Sequence, residues 1–150
     1  MRALKICVLF FLFSLLFSCS KEDTDYEIIN DFIKTNKIEI SNLQSVPFCF
    51  KELHLNKQEE NVLKLKTNED FLCNEKFDLQ KIQKKKNDNL RAKCKISHPI
   101  YSEDKLHIYI VVSNYYSNEV NFYEEVILYK LIKTDGHWEI ADSYKSVTQT

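Results

Sequence analysis

Four histidines, eight tyrosines and five cysteines carry most of the side-chain chemistry open to this chain. His54, His98, His107 and His137 stand far apart, in none of the spacings that hold a metal, such as H-E-x-x-H or paired C-x-x-C. A chain with a single glycine has neither a glycine-rich phosphate loop nor a G-x-S-x-G nucleophile turn. The histidines therefore read as ordinary surface or strand residues, and no metal or cofactor is expected. A cysteine–histidine nucleophile pair also lacks a local signature. One polar constellation remains: Asp142 with Tyr129 and Tyr144. If Asp135-Gly136 forms a two-residue hairpin turn, Thr134 faces His137, Tyr129 faces Asp142 and Ile127 faces Tyr144. A carboxylate on an apolar face has its pKa raised by desolvation and can serve as a base in a pocket. The competing reading places Asp142 at a sheet edge, bonded to a tyrosine hydroxyl or to water.

These side chains depend on the elements that place them. Leu90 to Ile100, Leu106 to Tyr115, Val120 to Lys133 and Trp138 to Val147 are rich in Ile, Val, Tyr and Phe and are separated by polar turns, which predicts an antiparallel β meander. On the Asp-Gly register, Ile127, Tyr129, Leu131, Trp138, Ile140 and Tyr144 gather on one face, with Lys130, Glu139, Ser143 and Lys145 beside Leu128 and Ile132 on the other. The first face is therefore expected to be the core side, with helices packed across it. Seven of the eight tyrosines lie from Tyr101 onward. Tyr115 and Tyr116 sit beside a predicted turn at Ser117-Asn118 and offer amphipathic contact area for a protein or glycan partner. Strand propensity alone also gathers tyrosine into a sheet.

The helices come earlier. Thr24-Asp25-Tyr26-Glu27 fits a capping box, and Tyr26, Ile29, Phe32 and Ile33 recur at helical spacing until Asn36. Residues 38 to 66 are less legible, with Ile38 and Ile40 alternating, Pro47 interrupting, and Phe48, Phe50, Leu53 and Leu55 readable as short strands or loop anchors. Helical patterning returns from Asn68 to Lys86, with Asp78 as an N-cap and Leu79 and Ile82 inward. Lys81 and Lys84-Lys85-Lys86 suit the C-terminal end of that helix dipole and need no phosphate partner. The fold class expected is α+β, with helices on a C-terminal four-stranded antiparallel meander, in one domain over residues 26–150.

The N-terminus carries a different kind of chemistry. Arg2 and Lys5 precede an apolar run from Ile6 to Phe17, and the polar Ser20 to Asp25 follow it. The run of about 12 residues is shorter than the roughly 20 that span a bilayer, and has the layout of a secretory signal. Leu16-Phe17-Ser18-Cys19 resembles the bacterial lipobox, with Phe17 where a smaller residue is usual. The resemblance implies cleavage between Ser18 and Cys19, removal of residues 1–18, and a diacylglyceryl thioether on Cys19. Two or three acyl chains hold a protein at a membrane where one gives only marginal binding. The short acidic stretch in residues 19–25 is similar to the tether of lipoproteins from the Bacteroidota, which implies an outer-membrane anchor and display at the cell surface rather than the periplasmic face. Ser97-His98-Pro99-Ile100-Tyr101-Ser102-Glu103-Asp104, Leu128-Tyr129-Lys130 and Gly136-His137-Trp138 likewise resemble small uncharacterised lipoproteins of that group, over roughly residues 78 to 145. No activity comes with that likeness.

Removing the signal leaves 19 basic against 22 acidic side chains, so the mature chain lacks the basic excess of a nucleic-acid binder. Cys49, Cys73 and Cys94 then remain in an oxidising space, where three pairings are possible. Cys94 alternates with Leu90, Ala92 and Ile96 as a small buried hydrophobe would, which favours Cys49–Cys73. Two functions follow as expectations: a membrane-anchored binding or protein-interaction module, or a small pocket enzyme or ligand carrier using Asp142 and Tyr129.

Overall fold

The computed structural model describes residues 24–40, 42–53, 73–82, 92–102, 104–117 and 122–149. Their architecture is α+β: helix α1 (Asp25–Thr35) and strands β1 (Ala92–Ile96), β2 (Ile100–Tyr101), β3 (His107–Ser117), β4 (Phe122–Thr134) and β5 (His137–Gln149). All strand pairs are antiparallel, in the order β1-β3-β4-β5, with β2 also on β3. The C-terminal meander is thus present, with five strands rather than four.

Helix α1 begins and ends where its sequence directs. Thr24 Oγ1 accepts the Glu27 N–H and Glu27 returns a carboxylate to the Thr24 N–H at 2.8 Å, a closed capping box. At the other end Lys37 takes the left-handed conformation (φ 53°), and the Ile38 N–H reaches back to the Ile33 carbonyl at 3.0 Å. This is the Schellman arrangement, which satisfies a carbonyl the helix leaves open. Ile28, Ile29 and Phe32 are buried on the inner stripe.

Among the described residues α1 is the one complete α-helix, which corrects the expectation of several helices over the sheet. Of the stretch expected to be helical from Asn68 to Lys86, Cys73 and Asn74 are helical, while Asp78 to Ile82 form a turn and bend; residues 68–72 and 83–86 lie outside the described residues. The reason is tertiary. The Asp78 N–H donates to the Tyr26 hydroxyl at 2.9 Å and the Lys81 carbonyl accepts from Asn30 Nδ2 at 2.8 Å. Asn30 of α1 thus takes the Lys81 carbonyl, which a helix begun at Asp78 would have used itself, and Phe77 and Ile82 are buried beside α1.

The first predicted strand run is also split. β1 ends at Ile96 opposite Val112, and β2 resumes at Ile100 opposite Tyr109, so one extra residue is accommodated in Ser97-His98-Pro99. Ser97 holds the break together: its N–H donates to the Val111 carbonyl and its Oγ accepts the Val111 N–H, both at 2.9 Å. The outer edge of β1 is covered by the 42–48 segment, where the Gln44 and Phe48 N–H groups donate to the carbonyls of Cys94 and Ile96. Covering an edge in this way removes a template for aggregation.

Asp135 and Gly136 both take positive φ, 50° and 87°, as the predicted hairpin turn requires. Thr134 faces His137, Lys133 faces Trp138 and Leu131 faces Ile140, in the expected register. Beyond that a bulge intervenes. Lys130 pairs with Asp142, Tyr129 with Ser143 and Leu128 with Tyr144, because Ala141 is an extra residue on β5. A one-residue slip sends every later side chain to the opposite face.

The sheet consequently packs on both sides. On the α1 side, Ile28, Ile29 and Phe32 meet Ile96, Ile108, Ile110, Val112, Leu131 and Trp138. On the other, Phe48 and Phe50 cover Tyr109, Val111, Leu128 and Ile100, with Leu53 and Tyr144 against them. The face of Tyr129, Leu131 and Trp138 is a core side as expected, but it is not the only one: the opposite face, which carries Leu128, packs as well. Cys49 and Cys73 form a disulfide whose ends are 24 residues apart in sequence, and Cys94 is a buried free thiol.

Candidate functional site

Helix α1 presents its polar residues to two places on the sheet. Near its C-terminus, the Asp31 carboxylate accepts the Trp138 N–H at 2.6 Å and lies 2.9 Å from His137 Nδ1. Asn36 completes the contact: its Nδ2 donates to the Trp138 carbonyl at 2.8 Å and its Oδ1 accepts the Ile140 N–H at 3.1 Å. These two side chains occupy the backbone groups at the start of β5 as a neighbouring strand would. Burial pushes the Asp31 carboxyl up, but the hydrogen bonds from His137 and the Trp138 amide outweigh it and hold the group below its ordinary 3.8.

At the N-terminus of α1, Asp25 Oδ2 lies 2.7 Å from Nδ1 of His98, and Nε2 of the same ring lies 2.9 Å from the Glu75 carbonyl oxygen. His98 is buried in the break between β1 and β2 and stacks on Phe77 at 4.2 Å. It had the residue type of a chemical group but no motif; the signal in the sequence was Ser-His-Pro interrupting an apolar strand run. His107 sits 3.8 Å from Asp104 in the β2–β3 turn, and His54 is outside the described residues. Among the described residues no three His, Cys, Asp or Glu side chains converge to hold a metal.

The bulge at Ala141 decides the fate of Asp142, Tyr129 and Tyr144. Tyr129 lies on the α1 side, tilted against Phe32 with ring centroids 5.2 Å apart, and burial pushes its hydroxyl pKa up. Asp142 lies across from Lys130 on the other face and is exposed. There Oδ1 accepts the Ser143 N–H at 2.8 Å and Oδ2 accepts the Tyr144 hydroxyl at 3.0 Å. The expected Asp142–Tyr129 pairing is therefore corrected: the two side chains are on opposite faces of the sheet. An exposed carboxylate holding its own strand's amide is an edge device, without the desolvation that a general base would need.

Tyr115 and Tyr116 lie at the far end of β3 and, as consecutive strand residues, on opposite faces. Tyr115 is half-buried opposite Glu124, with the Lys93 ammonium 5.7 Å from its ring centre. Tyr116 is 44% exposed on the α1 side, opposite Tyr123, the two rings 6.0 Å apart. A helix of 11 residues rises about 16 Å while a strand of 13 extends about 43 Å, so α1 can cover only part of the β4–β5 ribbon. Beyond its reach lie Tyr116, Tyr123 and Val147, the last 49% exposed, with an ion pair between Glu125 and Lys145 among them. Ser18 and Cys19 lie outside the described residues. Comparison with family models, with curated proteins and with solved structures finds no match to the chain.

Proposed function

We propose that this chain is a lipid-anchored envelope lipoprotein whose domain is a binding or protein-interaction module. The observation that carries the reading is Leu16-Phe17-Ser18-Cys19 directly after a charged start and an apolar run too short to span a bilayer. Lipid on Cys19 anchors the mature chain to the outer membrane, and the acidic tether in residues 19–25 directs it to the cell surface. The partner is another envelope protein or a glycan, met through the aromatic end of the sheet around Tyr115 and Tyr116. Tyrosine suits that role because it supplies large contact area with few rotatable bonds.

Two experiments separate the two halves of this reading. Cys19→Ser in the full chain should abolish labelling by a radioactive fatty acid and leave an unprocessed precursor or a domain released from membranes. A variant processed and anchored like the parent would overturn the lipoprotein assignment. Replacing Tyr115 and Tyr116 together by Ala should weaken cross-linking of the anchored protein to its envelope neighbours while anchoring is unchanged. An undiminished cross-link pattern would remove this end of the sheet as the binding surface.

A further inference from the structure

We propose that His98 is a charged latch: a protonated imidazole that ties the first turn of α1 and the 75–78 segment to the break between β1 and β2, and releases them when it loses its proton.

The hydrogen-bond inventory of the ring leads to this. Nε2 faces the Glu75 carbonyl oxygen at 2.9 Å, and a carbonyl can only accept, so that nitrogen carries a hydrogen. Nδ1 faces Asp25 Oδ2 at 2.7 Å. A carboxylate oxygen is likewise an acceptor only, so opposite the Asp25 carboxylate Nδ1 also carries a hydrogen. Only the imidazolium satisfies both partners. A neutral ring has one N–H for two acceptors, and at 6% exposure the ring has little water to make up the loss.

The surroundings are consistent with a positive ring. Asp25 from α1 and Glu75 from the 73–77 segment are the charged groups that act on it, and both are acidic. Phe77, stacked with an interplanar angle of 27°, and Ser97 and Pro99 in the chain break carry no charge. Burial alone pushes the ring's pKa down, and the hydrogen bonds to Asp25 and Glu75 more than reverse this, leaving it above the ordinary 6.5. For a group raised in the folded state, the stabilisation is complete below the ordinary value and is lost as pH rises through the folded value. The latch therefore opens on the alkaline side. Asp25 follows the Thr24 N-cap, so opening acts where the chain enters the domain.

The test is histidine-ring ¹⁵N NMR on the full chain from pH 5 to 10, with amide exchange followed in parallel. At pH 6.5 both ring nitrogens of His98 should be protonated, and the titration midpoint should lie above the ordinary value. Asp25→Asn keeps the hydrogen-bonding shape but not the charge, and should lower that midpoint by about one unit, a tenfold change in proton affinity. Across the midpoint, protection factors corrected for intrinsic exchange should fall severalfold at Ile28 and Asp78, whose N–H groups bond Thr24 and Tyr26. Those of β3 and β4 should not change. A neutral His98 tautomer at pH 6, an unmoved midpoint in Asp25→Asn, or unaltered protection at both amides would each overturn the proposal.

Discussion

Asp31→Ala tests the contact that fixes α1 to the sheet. The substitution removes an acceptor 2.6 Å from the Trp138 N–H, and that amide stands at the edge of β5, where Asp31 occupies the place of a neighbouring strand. A hydrogen bond to a charged acceptor contributes about 1.5–3 kcal/mol. The ion pair to His137 adds less than about 1 kcal/mol, because His137 is 62% exposed and screened by water. The expected loss is about 3 kcal/mol, which for a domain of this size lowers Tm by about 10 °C. Asp31→Asn keeps an acceptor oxygen and should lose only about 1 kcal/mol. The effect also has a direction in pH. A carboxyl held below its ordinary 3.8 contributes stability that is present above that value and lost as pH falls through the folded value. The difference between wild type and Asp31→Ala should therefore be full at pH 7 and shrink below pH 4. Urea unfolding at both pH values, followed by far-UV circular dichroism and by the fluorescence of the single tryptophan, measures it. A loss under about 0.5 kcal/mol, the ordinary range for a surface substitution, or one that does not change between pH 7 and pH 3, would refute the reasoning.

Two further outcomes follow from the cysteines. Reducing the Cys49–Cys73 bridge, which closes a loop of 24-residue separation, should cost about 3–4 kcal/mol on the chain-entropy argument, read as a lower urea midpoint with a phosphine reductant. The Cys49→Ser, Cys73→Ser double variant should match the reduced protein and respond no further to reductant. Burial pushes the Cys94 thiol up to about 12, so a thiol reagent at pH 8 should modify it only after urea is added. Modification of the folded protein at the rate of the unfolded chain would contradict its place in the core.

Where local signals were strong, the sequence was sufficient. Thr24 and Glu27 cap α1 as their spacing requires, because the capping box is made within one turn and needs no other part of the chain. Asp135-Gly136 sets the start of the β4–β5 register, since few residue pairs tolerate positive φ at both positions. Cys49 and Cys73 pair while Cys94 stays in the core, in keeping with its alternation along an apolar strand. The same local reasoning failed at Asp142. Nothing in the alternation of β5 marks Ala141 as extra, and one unpaired residue was enough to move Asp142 and Tyr144 to the face opposite Tyr129.

The sequence by itself determined the elements with short-range causes: the first helix, the hairpin turn and the strand-forming runs. Tertiary structure alone decided which faces those elements shared. Asn68 to Lys86 read as helical, yet within the described part Asp78 to Ile82 form a turn and bend, held to Tyr26 and Asn30 of α1. Phe48 and Phe50 read as short strands or loop anchors, and only the tertiary structure shows that they build a second core on the far side of the sheet. His98 reads as an ordinary surface or strand residue, and becomes a buried bridge only because Asp25, 73 positions earlier, and the Glu75 carbonyl meet it. Contacts so distant in sequence leave no periodicity behind, since periodicity records which face of an element is apolar and not what comes to cover it.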